Sequence, residues 1–158
     1  SMPSSAHSCI VSSAISGRLV RSAHDLSDGG LAVAVSESCL GGRLGAELRL
    51  DAQAARLRKQ AGGAGVAAGG AVAAAGATPG MPDTEAACRL LFSEAPLRIL
   101  VSVRPEDRER FERTMAGSPL VLLGRTTAEP RLRALLGGAT ILDAGLADIE
   151  KAWKTAIV

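Results

Sequence analysis

The stretch His24-Asp25-Leu26-Ser27-Asp28-Gly29-Gly30 gathers residue types that handle a metal-bound phosphate. Asp25 offers a hard oxygen ligand of the kind Mg²⁺ takes, and Ser27 offers a hydroxyl that donates to a phosphate oxygen. An apolar run from Leu31 to Leu40 follows at once, so the stretch ends where a helix begins. A helix start presents free N–H groups and the positive end of the peptide dipoles. Gly29 and Gly30 let a ligand approach the backbone closely. Carboxylate, hydroxyl and open helix end together suit a Mg-nucleotide. The same residues also suit a plain helix start, with Asp28 or Ser27 as the cap and the glycines for tight packing. His24 by itself reads as a packed or hydrogen-bonded histidine.

The elements that must position this stretch follow from periodicity. Ile10, Val11, Ala14 and Ile15 recur at helical spacing and Gly17 stops them. Leu19 to Ala23 reads as extended. The run from Leu31 to Leu40 is apolar on nearly every face, which predicts a buried helix ending at Gly41-Gly42. Leu44, Ala46, Leu48 and Leu50 alternate with Gly45, Glu47 and Arg49, the pattern of a half-buried strand. Asp51 reads as the cap of a short helix through Gln60. Of residues 61–80, sixteen are Gly or Ala and none is charged, so this segment reads as a mobile insert.

Asp83-Thr84 then caps a predicted helix through Phe92, and Leu97, Ile99, Val101 and Val103 mark a second strand. Pro105-Glu106-Asp107 opens a helix that Gly117 stops, with Glu106/Arg110 and Glu109/Arg113 as i,i+4 pairs. Leu120–Leu123, Arg131–Leu136 and Thr140–Leu142 read as three strands, the last two joined by a Gly137-Gly138 turn. Leu146, Ile149, Trp153 and Ile157 form the apolar stripe of a final helix. The expected fold class is α+β, a sandwich of a mixed β-sheet covered by helices. One domain spans residues 3–158, and Ser1-Met2 reads as a cloning remnant before the native start.

Composition narrows the function classes. The 158 residues, 47% hydrophobic and 22% charged, have globular proportions. A net charge of +2 with interspersed signs gives no basic stripe for nucleic acid. Phe92, Phe111 and Trp153 are the only aromatics, so the core must be aliphatic and platforms for stacking bases are nearly excluded. Cys9, Cys39 and Cys88 are odd in number and lack a CxxC pair, which suits reduced, packed thiols. No run reaches the roughly 18 apolar residues of a membrane span and no signal peptide is evident. The expectation is a soluble cytoplasmic domain with neither nucleic-acid nor membrane partners.

Residues 24–34, His-Asp-Leu-Ser-Asp-Gly-Gly-Leu-Ala-Val-Ala, are similar to the motif opening the carboxy-terminal domain of formylglycinamidine ribonucleotide synthetases. Leu91-Phe92-Ser93-Glu94 and Arg104-Pro105-Glu106-Asp107 resemble that family's next block. Leu123-Gly124-Arg125-Thr126, Arg131-Leu132-Arg133 and Leu146 to Trp153 look like its closing segments. The resemblance implies the carboxy-terminal lobe of the aminoimidazole ribonucleotide synthetase-like superfamily. It implies ATP-dependent amidation of formylglycinamide ribonucleotide in purine biosynthesis, with ammonia from a glutaminase subunit or domain. It also implies Mg²⁺ and ATP or ADP in the intact protein, with Asp25 as a metal ligand and Ser27 as a nucleotide contact at an auxiliary site. No motif gives His24, Asp28 or Glu94 a catalytic role, and no catalytic residue is expected in this chain. The partners implied are the other lobes of the same synthetase, and the chain alone is expected to be inactive. The alternative is a non-catalytic packing lobe from a related branch, of selenophosphate synthetase, thiamine-phosphate kinase or aminoimidazole ribonucleotide synthetase type.

Overall fold

Leu132, Ala134 and Leu136 alternate with Arg131, Arg133 and Leu135, so this segment must bury one face and wet the other. The computed structural model describes residues 11–56, 84–94 and 98–155, and it builds a sheet around that segment. In chain order the elements are α1 (residues 11–16), β1 (Ser22–Asp25), α2 (Gly30–Gly42), β2 (Gly45–Arg49) and α3 (residues 51–56). Then come α4 (Thr84–Phe92), β3 (Ile99–Ser102), a 3₁₀ turn (Pro105–Asp107) and α5 (Arg108–Thr114). The chain closes with β4 (Gly124–Thr127), β5 (Arg131–Leu136), β6 (Ala139–Gly145) and α6 (Leu146–Thr155).

The expected mixed sheet is present, but the strands divide into two sheets. Four pair in the order β4-β2-β5-β6, with β2 and β5 parallel and the other neighbours antiparallel. β1 and β3 form a separate antiparallel pair. The main core lies between the larger sheet and the helices. Leu48, Leu50, Leu132, Ala134 and Leu136 meet Leu31, Val35 and Cys39 of α2, Leu90 and Leu91 of α4, and Leu146 of α6. A smaller cluster of Ala14, Leu19, Phe111 and Met115 packs with Val101 and Val103. Both cores are aliphatic apart from Phe111, as the composition requires.

Several local expectations shift. Residues Leu120–Leu123 are not a strand; pairing starts at Gly124, and Leu122 is largely exposed. β4 is an edge strand with three polar residues, and an edge needs no apolar alternation. The extended stretch at Leu19–Ala23 moves to Ser22–Asp25, because Leu19 plugs the smaller core. Gly41 and Gly42 lie inside α2; Arg43 closes it in a left-handed conformation, donating its N–H to Cys39 O and Leu40 O. Asp51 accepts from the Gly137 N–H at 2.8 Å, so it braces the β5–β6 turn. The 3₁₀ turn at Pro105 puts Glu106 out of phase with Arg110, and the ion pair on α5 is Arg108–Glu112 at 2.8 Å. β3 uses both faces, with Leu100 on the main core, Val101 on the smaller one and Ile99 exposed. β6 outruns Thr140–Leu142, since pairing with β5 continues to Arg131–Gly145. The insert at 61–80, the Asp83 cap, and Cys9, Ile10, Gln60, Leu97 and Ile157 lie outside the described residues. No helix among the described residues is long and apolar enough to cross a membrane.

Candidate functional site

β1 carries the first two residues of the motif, and strand alternation sends them to opposite faces. His24 turns toward α2, where its Nε2 lies 2.8 Å from Glu37 Oε2. That face borders an open groove of about 440 Å³ lined by Leu40, Arg43, Trp153 and Lys154 as well. Asp25, opposite Ile99 in the register, ends the strand with its side chain exposed. The chain then dips inward: Leu26 is buried and its N–H donates to Arg98 O at 2.9 Å. Ser27 and Asp28 stand exposed on the loop that follows.

Neither of those two residues caps α2 with its side chain, contrary to the helix-start reading. The N-cap residue is Gly29, at φ 80°, and no side-chain cap bond is formed. Ser27 contributes only its carbonyl, which accepts from the Gly30 N–H at 3.2 Å. The partner comes from elsewhere: Glu94 Oε1 accepts from the Gly29 N–H at 2.9 Å. A carboxylate is the favoured group at that end of a helix, and distance in sequence hid this one.

The glycines do serve tight packing. At Gly30, with φ +65°, a Cβ would stand 2.8 Å from Ser93 O and 3.0 Å from Leu91 O. The carboxyl end of α4 is therefore pressed against the amino end of α2, bringing the negative end of one peptide dipole to the positive end of the other. Arg98 donates to Ser93 O and, at 3.3 Å, to Ser93 Oγ, just past the end of α4.

Glu37 and Glu94 are the residues that the motif alone does not reveal. Glu37 had a signal: it is the only charged residue in α2, and a charge in an apolar helix needs a partner. Glu94 lies in the Leu91-Phe92-Ser93-Glu94 block that carries the resemblance, but nothing in that block says which group it meets. Among the described residues no three His, Cys, Asp or Glu side chains converge as a metal cage. Asp25 nevertheless fits the mode in which Mg²⁺ takes one or two carboxylates and completes its shell with phosphates and water.

The sequence model described as AIR synthase related protein, C-terminal domain, matches residues 5–137. The chain belongs to this family. This AIR synthase-related C-terminal domain is 33% identical to the phosphoribosylformylglycinamidine synthase subunit PurL of Lactobacillus helveticus, over 88% of the present chain and 14% of the relative. PurL of Prochlorococcus marinus strain MIT 9303 is also 33% identical, over 94% of the chain and 16% of the relative. The domain thus spans about one-seventh of the curated relatives it matches. Its fold matches Thermotoga maritima PurL complexed with FGAR at a TM-score of 0.61 and 21% identity, over 91% of this chain and 21% of that one. PurL of the same organism complexed with ATP gives 0.60 and 21%, over 87% and 20%.

Proposed function

We propose that this domain is the carboxy-terminal lobe of a phosphoribosylformylglycinamidine synthase. That enzyme would be an ATP-dependent ligase of purine biosynthesis acting in the cytoplasm. The observation that carries the reading is the 33% identity to PurL subunits along nearly the whole chain. The domain has no synthase activity alone, because companion lobes and a glutaminase must supply the substrate site and ammonia. Asp25 is the Mg²⁺ ligand and Ser27 the phosphate contact of an auxiliary nucleotide site that is completed only in the intact protein. Mg²⁺ at that position would neutralise phosphate charge. The protein's own part is to hold a carboxylate and a hydroxyl exposed on one short loop.

A second reading makes the domain a packing lobe only, and one contact favours it. Glu94 already satisfies the Gly29 N–H, an N–H that a phosphate would otherwise use. Titration of Mg-ADP into the intact protein separates the two. Asp25→Asn should weaken binding, since an amide is a poorer ligand for a hard cation. Ser27→Ala should weaken it by about 0.5–1.5 kcal/mol, the worth of one neutral hydrogen bond. Unchanged affinity in a correctly folded Asp25→Asn protein supports the packing reading. Turnover of formylglycinamide ribonucleotide, ATP and ammonium by the isolated domain would refute its role as an incomplete lobe.

A further inference from the structure

The short segment from Asp25, the last residue of β1, to Asp28 exposes Asp25, Ser27 and Asp28 and is held from outside at both ends. At its entry, His24 is tied to Glu37, which lies two turns into α2. At its exit, the Gly29 N–H is tied to Glu94, beyond the end of α4. Among the described residues β1 has a single strand neighbour, β3, so the described sheet braces it from one side. The His24–Glu37 contact braces it from α2. We infer that Glu37 and Glu94 are positioning residues: two carboxylates, neither touching the ligand, that fix the path of residues 25–28 and so aim Asp25 at its cation and Ser27 at the phosphate. This deepens the nucleotide-site reading and rests on it.

The chemistry of the two contacts supports a positioning role. Both acceptors are hydrogen-bonded to groups of the motif, at 2.8 and 2.9 Å. His24 and Glu37 are each about one-third exposed, so their link costs little desolvation and need not exist to fill the core. Asp25 follows His24 directly, and any rotation of the strand end carries its carboxylate along. A metal ligand tolerates such displacement poorly, whereas a hydroxyl–phosphate contact adapts.

The test uses the intact protein, with Mg-ADP and metal-free ADP as the two probes. Glu37→Leu and Glu94→Leu should each raise the Kd for Mg-ADP by about 10-fold or more, the usual effect of losing an outer partner of a metal ligand. The loss should be clearly smaller with EDTA present, because the metal ligand is what moves. Glu37→Gln and Glu94→Gln keep an acceptor oxygen and should bind Mg-ADP nearly as the wild type does. A merely structural role predicts lowered melting temperatures with equal effects on the two probes, and that outcome overturns the inference. So does unchanged Mg-ADP affinity in both Leu variants while Asp25→Asn weakens it. If Asp25→Asn is itself without effect, the nucleotide-site reading fails and the positioning roles fall with it. Should Glu37→Leu not fold, His24→Leu breaks the same link from its other side and is read by the same criteria.

Discussion

Replacing Gly30 with alanine should be among the most damaging single-methyl changes in this domain. Gly30 sits at φ +65°, a conformation that costs an ordinary residue about 1–2 kcal/mol. The added Cβ would also stand 2.8 Å from Ser93 O, 2.9 Å from Phe92 C and 3.0 Å from Leu91 O. All three are backbone atoms, so no side chain can swing aside; α4 must move from α2 and disturb Leu90 and Leu91 in the core. Overpacking of this kind costs about 1–3 kcal/mol. The two effects together come to about 2–5 kcal/mol, a fall in Tm on the order of 10 °C for a domain of this size. Gly41→Ala is the matched control. It lies in the same helix with nothing within 4 Å of its would-be Cβ, and should gain up to about 1 kcal/mol in helix propensity. Thermal and urea melts followed by circular dichroism would compare the two. Equal stability of the two variants would refute the argument that the α2–α4 contact requires a bare backbone at Gly30.

Three further outcomes are expected. Asp51→Ala should lower stability by about 1 kcal/mol, because the Gly137 N–H loses its charged acceptor at the β5–β6 turn; a urea melt reads this directly. The hydrogen bond from Arg131 holds the Asp143 carboxyl below its ordinary pKa, so its contribution to stability is present above the unfolded value and lost as pH falls through the folded one. Asp143→Asn should therefore flatten the acid limb of a stability–pH curve, and an unchanged acid limb would show that the pair contributes nothing. Burial pushes the Cys39 thiol up, while Cys88 is exposed, so iodoacetamide at neutral pH should label Cys88 well before Cys39, as peptide mass mapping would reveal.

Strong local patterns were legible in the sequence and long-range partners were not. α2 could be read because ten successive residues carry only one charge, and no surface helix is written that way. The β5–β6 hairpin could be read because Gly137-Gly138 separates two apolar-bearing segments. β4 could not: Gly-Arg-Thr-Thr has no strand periodicity, and it becomes a strand only because β2 offers an open edge. The site divides in the same way. Asp25 and Ser27 announce themselves by type and by their place before a helix. The Glu94 contact spans 65 positions, and nothing near Gly29 says which acid will reach it. Ser27 and Asp28 were plausible caps on propensity, yet the backbone turns at Gly29 and the loop leaves both outside.

The parallel pairing of β2 with β5 bears on how the domain assembles. Its two strands are separated by roughly eighty residues of chain, and the entropy of closing so long a loop grows only with the logarithm of its length. Adding or deleting twenty residues in a loop of that connection, outside α4, β3, α5 and β4, changes the closing cost by only about 0.2 kcal/mol. The β5–β6 hairpin, joined by two residues, faces no such search. Contacts close in sequence form soonest, so the hairpin should collapse first and β2 should arrive later as the rate-limiting strand. Substitutions at Ala46 or Leu48, on the late-arriving strand, would therefore be felt in the refolding rate.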